Sequence, residues 1–195
     1  GGTQKLPNHG LVRTRLWQKT AEQITPDHVR IEFSIEVHDI PWSPEPLTLR
    51  YQVQLDQQLT LTLSCDTAIA QQAALHSYFT VPDSTKAQVQ PLPTHYYNKV
   101  TDSECSSQSD MLHFHGEIDR VYYKTADTLT LSTEATQLQI AQQGHDASVL
   151  WNPAPEKAAA SADIPKDRWS EFVCVETARL TTTAAPLSLT QIIRP

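Results

Sequence analysis

The segment Phe172-Val173-Cys174-Val175-Glu176-Thr177-Ala178 sets one carboxylate inside an otherwise apolar strand. Strand residues two apart point to one face, so Glu176 shares its face with Phe172 and Cys174. An ionised carboxylate in that setting is costly unless it is paired, hydrogen-bonded or protonated. Such a group is either the end of a strand that reaches solvent or an acid/base whose proton affinity its surroundings tune. A second unusual residue favours the latter. In Ala73-Ala74-Leu75-His76-Ser77-Tyr78-Phe79, His76 stands among apolar neighbours in a run that also reads as strand. Taken alone, such a histidine is more often a satisfied structural residue than a catalyst. With Glu176 it makes a candidate acid/base couple, which only tertiary structure can assemble because the two lie far apart in the chain.

The elements that must position this couple are strands. Val29, Ile31, Phe33, Ile35 and Val37 alternate with polar residues, as do Leu47, Leu49, Tyr51, Val53 and Leu55, and then Leu59, Leu61, Leu63 and Cys65. Weaker alternation occurs at Leu129–Leu131, Leu138–Ile140 and Leu187–Leu189. Period-two runs are strands with one buried face, and an antiparallel sheet is their usual setting. Asp56-Gln57 predicts a tight hairpin, and Ile31, Phe33, Ile35, Leu49, Tyr51, Leu61 and Leu63 are expected to face inward. Residues 155–162, rich in Ala, predict a short helix, whereas the polar, Ser-rich stretch 101–110 reads as an exposed loop. The pattern predicts an all-β fold, an antiparallel β-sandwich whose loops supply function.

Residues 1–195 are enough for a single domain with a sizeable core. No apolar run approaches the ~18 residues of a membrane span, and no signal-peptide pattern opens the chain. A net charge of −7 argues against a nucleic-acid groove, which needs clustered Lys and Arg. Cys65, Cys105 and Cys174 show no metal-ligand or disulfide spacing, so a reducing cytoplasm suits them. Cys65 and Cys174 read as core residues. His113 and His115 share a strand face but lack a third ligand, so they read as surface residues rather than a metal site. Nothing in the pattern specifies an oligomer.

Several segments resemble those of the glucose-6-phosphate 1-epimerases (D-hexose-6-phosphate mutarotases) of the aldose 1-epimerase superfamily. Leu6-Pro7-Asn8-His9-Gly10-Leu11-Val12-Arg13, followed by Leu16-Trp17, resembles "L-P-Q-H-G-x-A-R…W". Ala74-Leu75-His76-Ser77-Tyr78-Phe79 is similar to the "L-H-x-Y-F" strand, and Ile118-Asp119-Arg120-Val121-Tyr122 to "x-D-x-[VI]-Y". Val149-Leu150-Trp151-Asn152-Pro153 through Glu156-Lys157-Ala158 resembles "V-[VL]-W-N-P-x-x-E-K-[AS]", and Val173-Cys174-Val175-Glu176 the closing "[VI]-C-[VI]-E". The segments follow the family's order and extend over most of the chain.

The resemblance implies a galactose mutarotase-like sandwich that exchanges the α and β anomers of an aldohexose 6-phosphate, with glucose 6-phosphate as the expected partner. It implies that Glu176 is the base at the C1 hydroxyl and that His76 protonates the ring oxygen. Asp119 would bind sugar hydroxyls, and Asn8 and Arg13 would contact substrate near its phosphate. One base and one acid suffice for this reaction, so no metal or nucleotide cofactor is expected. Without the motif, Asp119 reads as a turn acid and Arg13 as a surface cation. Trp17 reads as a core aromatic, while Trp151 fits either core or sugar platform. The family has Gln where this chain has Asn8, and it carries an upstream "R-G-G-x-P…F-P" segment whose arginine also binds phosphate. The chain is therefore expected to be an N-terminally truncated member. The alternatives are a non-catalytic β-sandwich carbohydrate-binding module or inactive epimerase-like fragment, and, third, a glycoside hydrolase, which would need two carboxylates flanking the scissile bond.

Overall fold

The alternating runs fold as strands throughout. The computed structural model describes residues 9–38, 40, 43, 45–162, 164–165 and 167–195. Strands β1 (Gln18–Thr25), β2 (His28–Val37), β3 (Leu47–Leu55) and β4 (Leu59–Ile69) form a meander. Two short strands, β5 (Ala73–Leu75) and β6 (Tyr78–Thr80), precede β7 (Gln88–Gln90), β8 (His95–Asn98), β9 (Ser103–Ser106) and β10 (Leu112–His113). Then come β11 (Ile118–Tyr123), β12 (Thr128–Ser132), β13 (Gln137–Gln143) and β14 (Ala147–Asn152). The one α-helix among the described residues, α1 (Ala154–Ala160), separates these from β15 (Phe172–Arg179) and β16 (Ala185–Arg194). Asp56 closes the predicted hairpin between β3 and β4, where its carboxylate accepts from the Gln58 amide at 3.0 Å.

All pairings are antiparallel. One sheet runs β1-β2-β3-β4-β16-β13-β12-β7-β10, and the other β5-β15-β14-β11-β8-β9, with β6 also on β15. The main core lies between them: Val89, Leu129, Leu131 and Ile140 of the larger sheet meet Ile118, Tyr122, Leu150, Val173 and Val175 of the smaller. A second cluster, with Val37, Leu63, Cys65 and Leu189, packs under Leu75. The sequence therefore specifies the architecture correctly, an antiparallel β-sandwich.

The expected inward set shares a face but is not equally covered. Phe33, Tyr51, Leu63 and Leu189 stand side by side across β2, β3, β4 and β16. Burial rises along that row, from half-buried Phe33 and Tyr51 to Leu63 at 9% exposure and Leu189 at 0%. Ile35 is buried, Leu49 and Leu61 pack half-buried on the second cluster, and Ile31 is half-buried. β1 is exposed along its whole length and gives these edge positions little shelter.

One expectation fails. The stretch read as loop contains β9, which pairs with β8 through Cys105 opposite Tyr96. Backbone pairing needs no apolar side chains at an exposed edge, so the Ser-rich sequence carries no alternating signal. Cys65 and Cys174 are fully buried as expected. His113 and His115 are exposed and stack with centroids 5.9 Å apart; no metal-ligand group of three is present among the described residues. No helix there is long and apolar enough to cross a membrane.

Gly144 makes the turn from β13 to β14 at φ +70°, and a Cβ there would lie 1.9 Å from the Ser188 carbonyl oxygen. We expect Gly144→Ala to cost about 2–4 kcal/mol, combining left-handed strain with a backbone clash. A shift of the urea midpoint checks this; an unchanged midpoint would refute it.

Candidate active site

β15 divides its side chains between two environments. Val173 and Val175 point into the main core. Cys174, Glu176 and Ala178 take the other face, beside Trp151, Val149 and Ala147 of β14. Further out on that face, Asp119 pairs with Trp151 and Val121 with Val149. This outer face floors an open cleft of about 1130 Å³.

His76 reaches the same face through register. Leu75 pairs with Thr177 and Tyr78 with Cys174, so β5 and β6 keep one continuous register against β15. That register sets His76 opposite Glu176, although the ladder is interrupted at His76 and Ser77. His76 Nε2 lies 3.3 Å from Glu176 Oε1. The predicted strand is thus two short strands, and the predicted couple is a cross-strand neighbour pair.

The surroundings push the two groups in opposite directions. Burial raises the Glu176 carboxyl to about 7, the Asp119 charge adds to the rise, and Lys99 opposes it. Burial lowers the His76 imidazole, helped by the positive charge of His9, Arg13 and Lys99. Charged forms lose hydration in both cases, which favours the protonated acid and the neutral imidazole. The His76 ring stacks on Tyr78, with centroids 4.9 Å apart and planes at 17°, and meets the edges of Trp151 and His9. Aromatic rings therefore fix its plane and exclude water from one side.

The other predicted residues divide clearly. Asp119 and Arg13 line the same cleft as His76 and Glu176. Asp119 is largely buried and pairs with Lys99 Nζ at 3.3 Å. Asn8 lies outside the described residues. Trp17 packs against the second core cluster, edge-on to Tyr51, as expected of a core aromatic. Its indole nitrogen also donates to the Val12 carbonyl at 3.4 Å, which anchors the segment carrying Arg13. Trp151, left open by the sequence, lines the cleft.

Two contributors escape a reading of the sequence alone. Lys99 follows Asn98 in a polar turn, and only tertiary structure brings it to Asp119. His9 sits within the Pro7-to-Arg13 segment already singled out, so its neighbourhood is a signal that could find it.

The model of the aldose 1-epimerase family matches residues 1–187. The chain belongs to the aldose 1-epimerase family. It is by family an isomerase, of the kind that exchanges sugar anomers. A protein of Escherichia coli (strain K12), named as a candidate glucose-6-phosphate 1-epimerase, is 30% identical over 202 residues, covering 98% of this chain and 68% of that protein. A protein of the same description from Haemophilus influenzae is 28% identical over 181 residues, covering 92% of this chain and 64% of its own. The crystal structure of a candidate mutarotase from Salmonella typhimurium matches with a TM-score of 0.90 at 27% identity, covering 100% of this chain and 69% of that one. The chain thus spans about two thirds of the length of these relatives.

The raised Glu176 carboxyl has a consequence for stability. The folded protein holds that proton up to about 7, whereas the unfolded chain releases it near the ordinary value of 4.5. Stability from this group is complete below 4.5 and is lost as pH rises towards 7 and beyond. At 1.36 kcal/mol per unit, the loss is about 3 kcal/mol. We expect Glu176→Gln to be more stable than wild type at pH 8 and to lose that advantage near pH 4.5. Thermal melts at the two pH values test this, and equal differences at both would contradict it.

Proposed function

We propose that this chain interconverts the α and β anomers of an aldohexose 6-phosphate, glucose 6-phosphate first, by acid/base ring opening. The observation that carries the reading is the cross-strand couple: His76 Nε2 and Glu176 Oε1 are 3.3 Å apart at the floor of an open cleft. The ionised Glu176 takes the proton of the C1 hydroxyl. As the C1–O5 bond breaks, its electron pair goes to O5, which takes a proton from His76. The product is the open aldehyde, with the carboxyl protonated and the imidazole neutral. Rotation about C1–C2 turns the other carbonyl face to O5. Reclosure then returns the O5 proton to His76 and the Glu176 proton to the new C1 hydroxyl. Atoms and charges balance without a further reactant.

A carboxyl titrating near neutrality suits this role, because proton transfer is most effective when the group's pKa lies near the working pH. Asp119, which pairs with Lys99 in the cleft, is our candidate to accept bonds from sugar hydroxyls. Arg13, beside His9 at the cleft wall, is our candidate for the phosphate contact; the descriptions of the E. coli and H. influenzae relatives agree with a phosphorylated hexose. A dianion there would also raise the proton affinity of His76, which the acid step needs. We read residues 1–195 as a single epimerase-like domain, since both sheets draw strands from both halves of the chain. Free Cys65, Cys105 and Cys174 support a reducing setting such as the cytoplasm.

Exchange of pure α-glucose 6-phosphate, followed by NMR, tests the reaction. Glu176→Gln and His76→Asn should each slow it about 100-fold or more while remaining folded. Binding without exchange by wild type would instead make the chain a carbohydrate-binding module.

Phosphate recognition has its own test. A hydrogen bond to a charged group contributes roughly 1.5–3 kcal/mol, so Arg13→Ala should cut the preference for glucose 6-phosphate over glucose by about tenfold or more. Titration calorimetry with both sugars measures the ratio. An unchanged ratio removes Arg13 from the phosphate site.

A further inference from the structure

Two buried amides, Gln142 and Gln191, bond the polar groups on the core side of β15, and Gln191 also reaches the His76 turn. Gln191 lies on β16, fully buried, where the alternation of Leu187, Leu189 and Ile193 calls for an apolar side chain. A buried primary amide is costly unless its donors and acceptor are all used. Its Nε2 donates to the Val175 carbonyl oxygen at 3.0 Å and to Thr177 Oγ1 at 2.9 Å. These residues stand on either side of Glu176. Its Oε1 accepts from Ser77 Oγ at 2.5 Å, and Ser77 directly follows His76.

The His76 turn has few other restraints. It interrupts the ladder between β5 and β6, where the bond from the Val175 amide to the Ser77 carbonyl, at 3.3 Å, still crosses to β15. His76 Nδ1 is buried and meets no hydrogen-bond partner among the described residues. No side-chain hydrogen bond at Nδ1 therefore aims the imidazole. Its placement falls to ring stacking and to its backbone, and the backbone is tied to Gln191 through Ser77.

We propose that Gln191 is a positioning residue for the acid/base couple: one amide, reaching across the sandwich from the opposite sheet, clamps the His76 turn and the Glu176 strand together. This rests on the reading of His76 and Glu176 as acid and base. Gln191 touches neither substrate nor reacting atoms and acts through Ser77, Val175 and Thr177. The same polar network continues from Thr177 to Gln142, Ser148 and Thr125, away from the His76 turn. Thr125 therefore supplies a control that perturbs the network without perturbing the clamp.

The test uses Gln191→Met, Ser77→Ala, Ser77→Thr and Thr125→Val in the full chain. Loss of the clamp should lower kcat roughly tenfold or more with KM little changed, because small misplacements of reacting groups cost rate. Ser77→Thr, which keeps the hydroxyl, should stay close to wild type. Ser77→Ala with Gln191→Met should be no slower than the slower single variant, since both remove the same hydrogen bond. Thr125→Val should lower the melting temperature and leave kcat unchanged. The ring ¹⁵N resonances and titration midpoint of His76, read by NMR, should move in Ser77→Ala and Gln191→Met but not in Thr125→Val. That readout needs no turnover, so it judges the clamp even if wild type proves inactive, an outcome that would overturn only the functional reading. If Gln191→Met does not fold, Ser77→Ala decides alone. A folded Ser77→Ala with wild-type kcat and unmoved His76 resonances would overturn the proposal, as would a Thr125→Val that loses rate equally.

Discussion

The register between β15 and the interrupted pair β5 and β6 governs the whole cleft. Because side chains alternate across a strand, a slip of one residue would turn Glu176 into the sandwich core and bring Val175 to the cleft. Thr177 opposite Leu75 and Cys174 opposite Tyr78 hold that register on both sides of the break. The valines flanking Glu176 in sequence and space are buried on opposite faces, Val175 in the main core and Val149 beside the carboxylate. Core burial and site geometry are thus two results of one alignment.

The same burial sets the proton affinities of the couple. A carboxyl taken out of water holds its proton more tightly, and an imidazole taken out of water holds it less tightly. Lys99 and Asp119 act on Glu176 with opposite signs, and their mutual pairing keeps either charge from dominating. The Glu176 carboxyl is consequently raised to about 7 by burial, with the charges a secondary adjustment. Burial of Glu176 raises its proton affinity, so its ionised form is held at a cost in stability.

Much of this is legible in the sequence, and the reasons are local. Alternation at Val29–Val37, Leu47–Leu55 and Leu59–Cys65 announces strands, because one-sided burial leaves a period-two trace. Glu176 and His76 stand out as polar residues in apolar runs. β9 leaves no trace, since an exposed edge strand pairs by backbone alone. Lys99 is invisible because its role depends on the pairing of β8 with β11, which no local pattern encodes. Gln191 does leave a signal: it is the polar member of an inward-facing series, Leu187, Leu189, Gln191 and Ile193. The apolar alternation stops at Leu189, and the residue that interrupts it is the informative one.

The gradient of burial across β2, β3, β4 and β16 gives the larger sheet a soft margin and a firm centre. Backbone amides exchange with solvent through local openings, and an opening costs more the more apolar surface it uncovers. Amides of β1, exposed along its length, and of the half-buried start of β2 belong to the easily opened class. Those of β16 near Leu189, covered by core on the inner face, cost more to open. Gln191 stands within that firm strand. The cleft is therefore tied, through Gln191, to a well-covered stretch of the larger sheet that three strands separate from the exposed β1 margin.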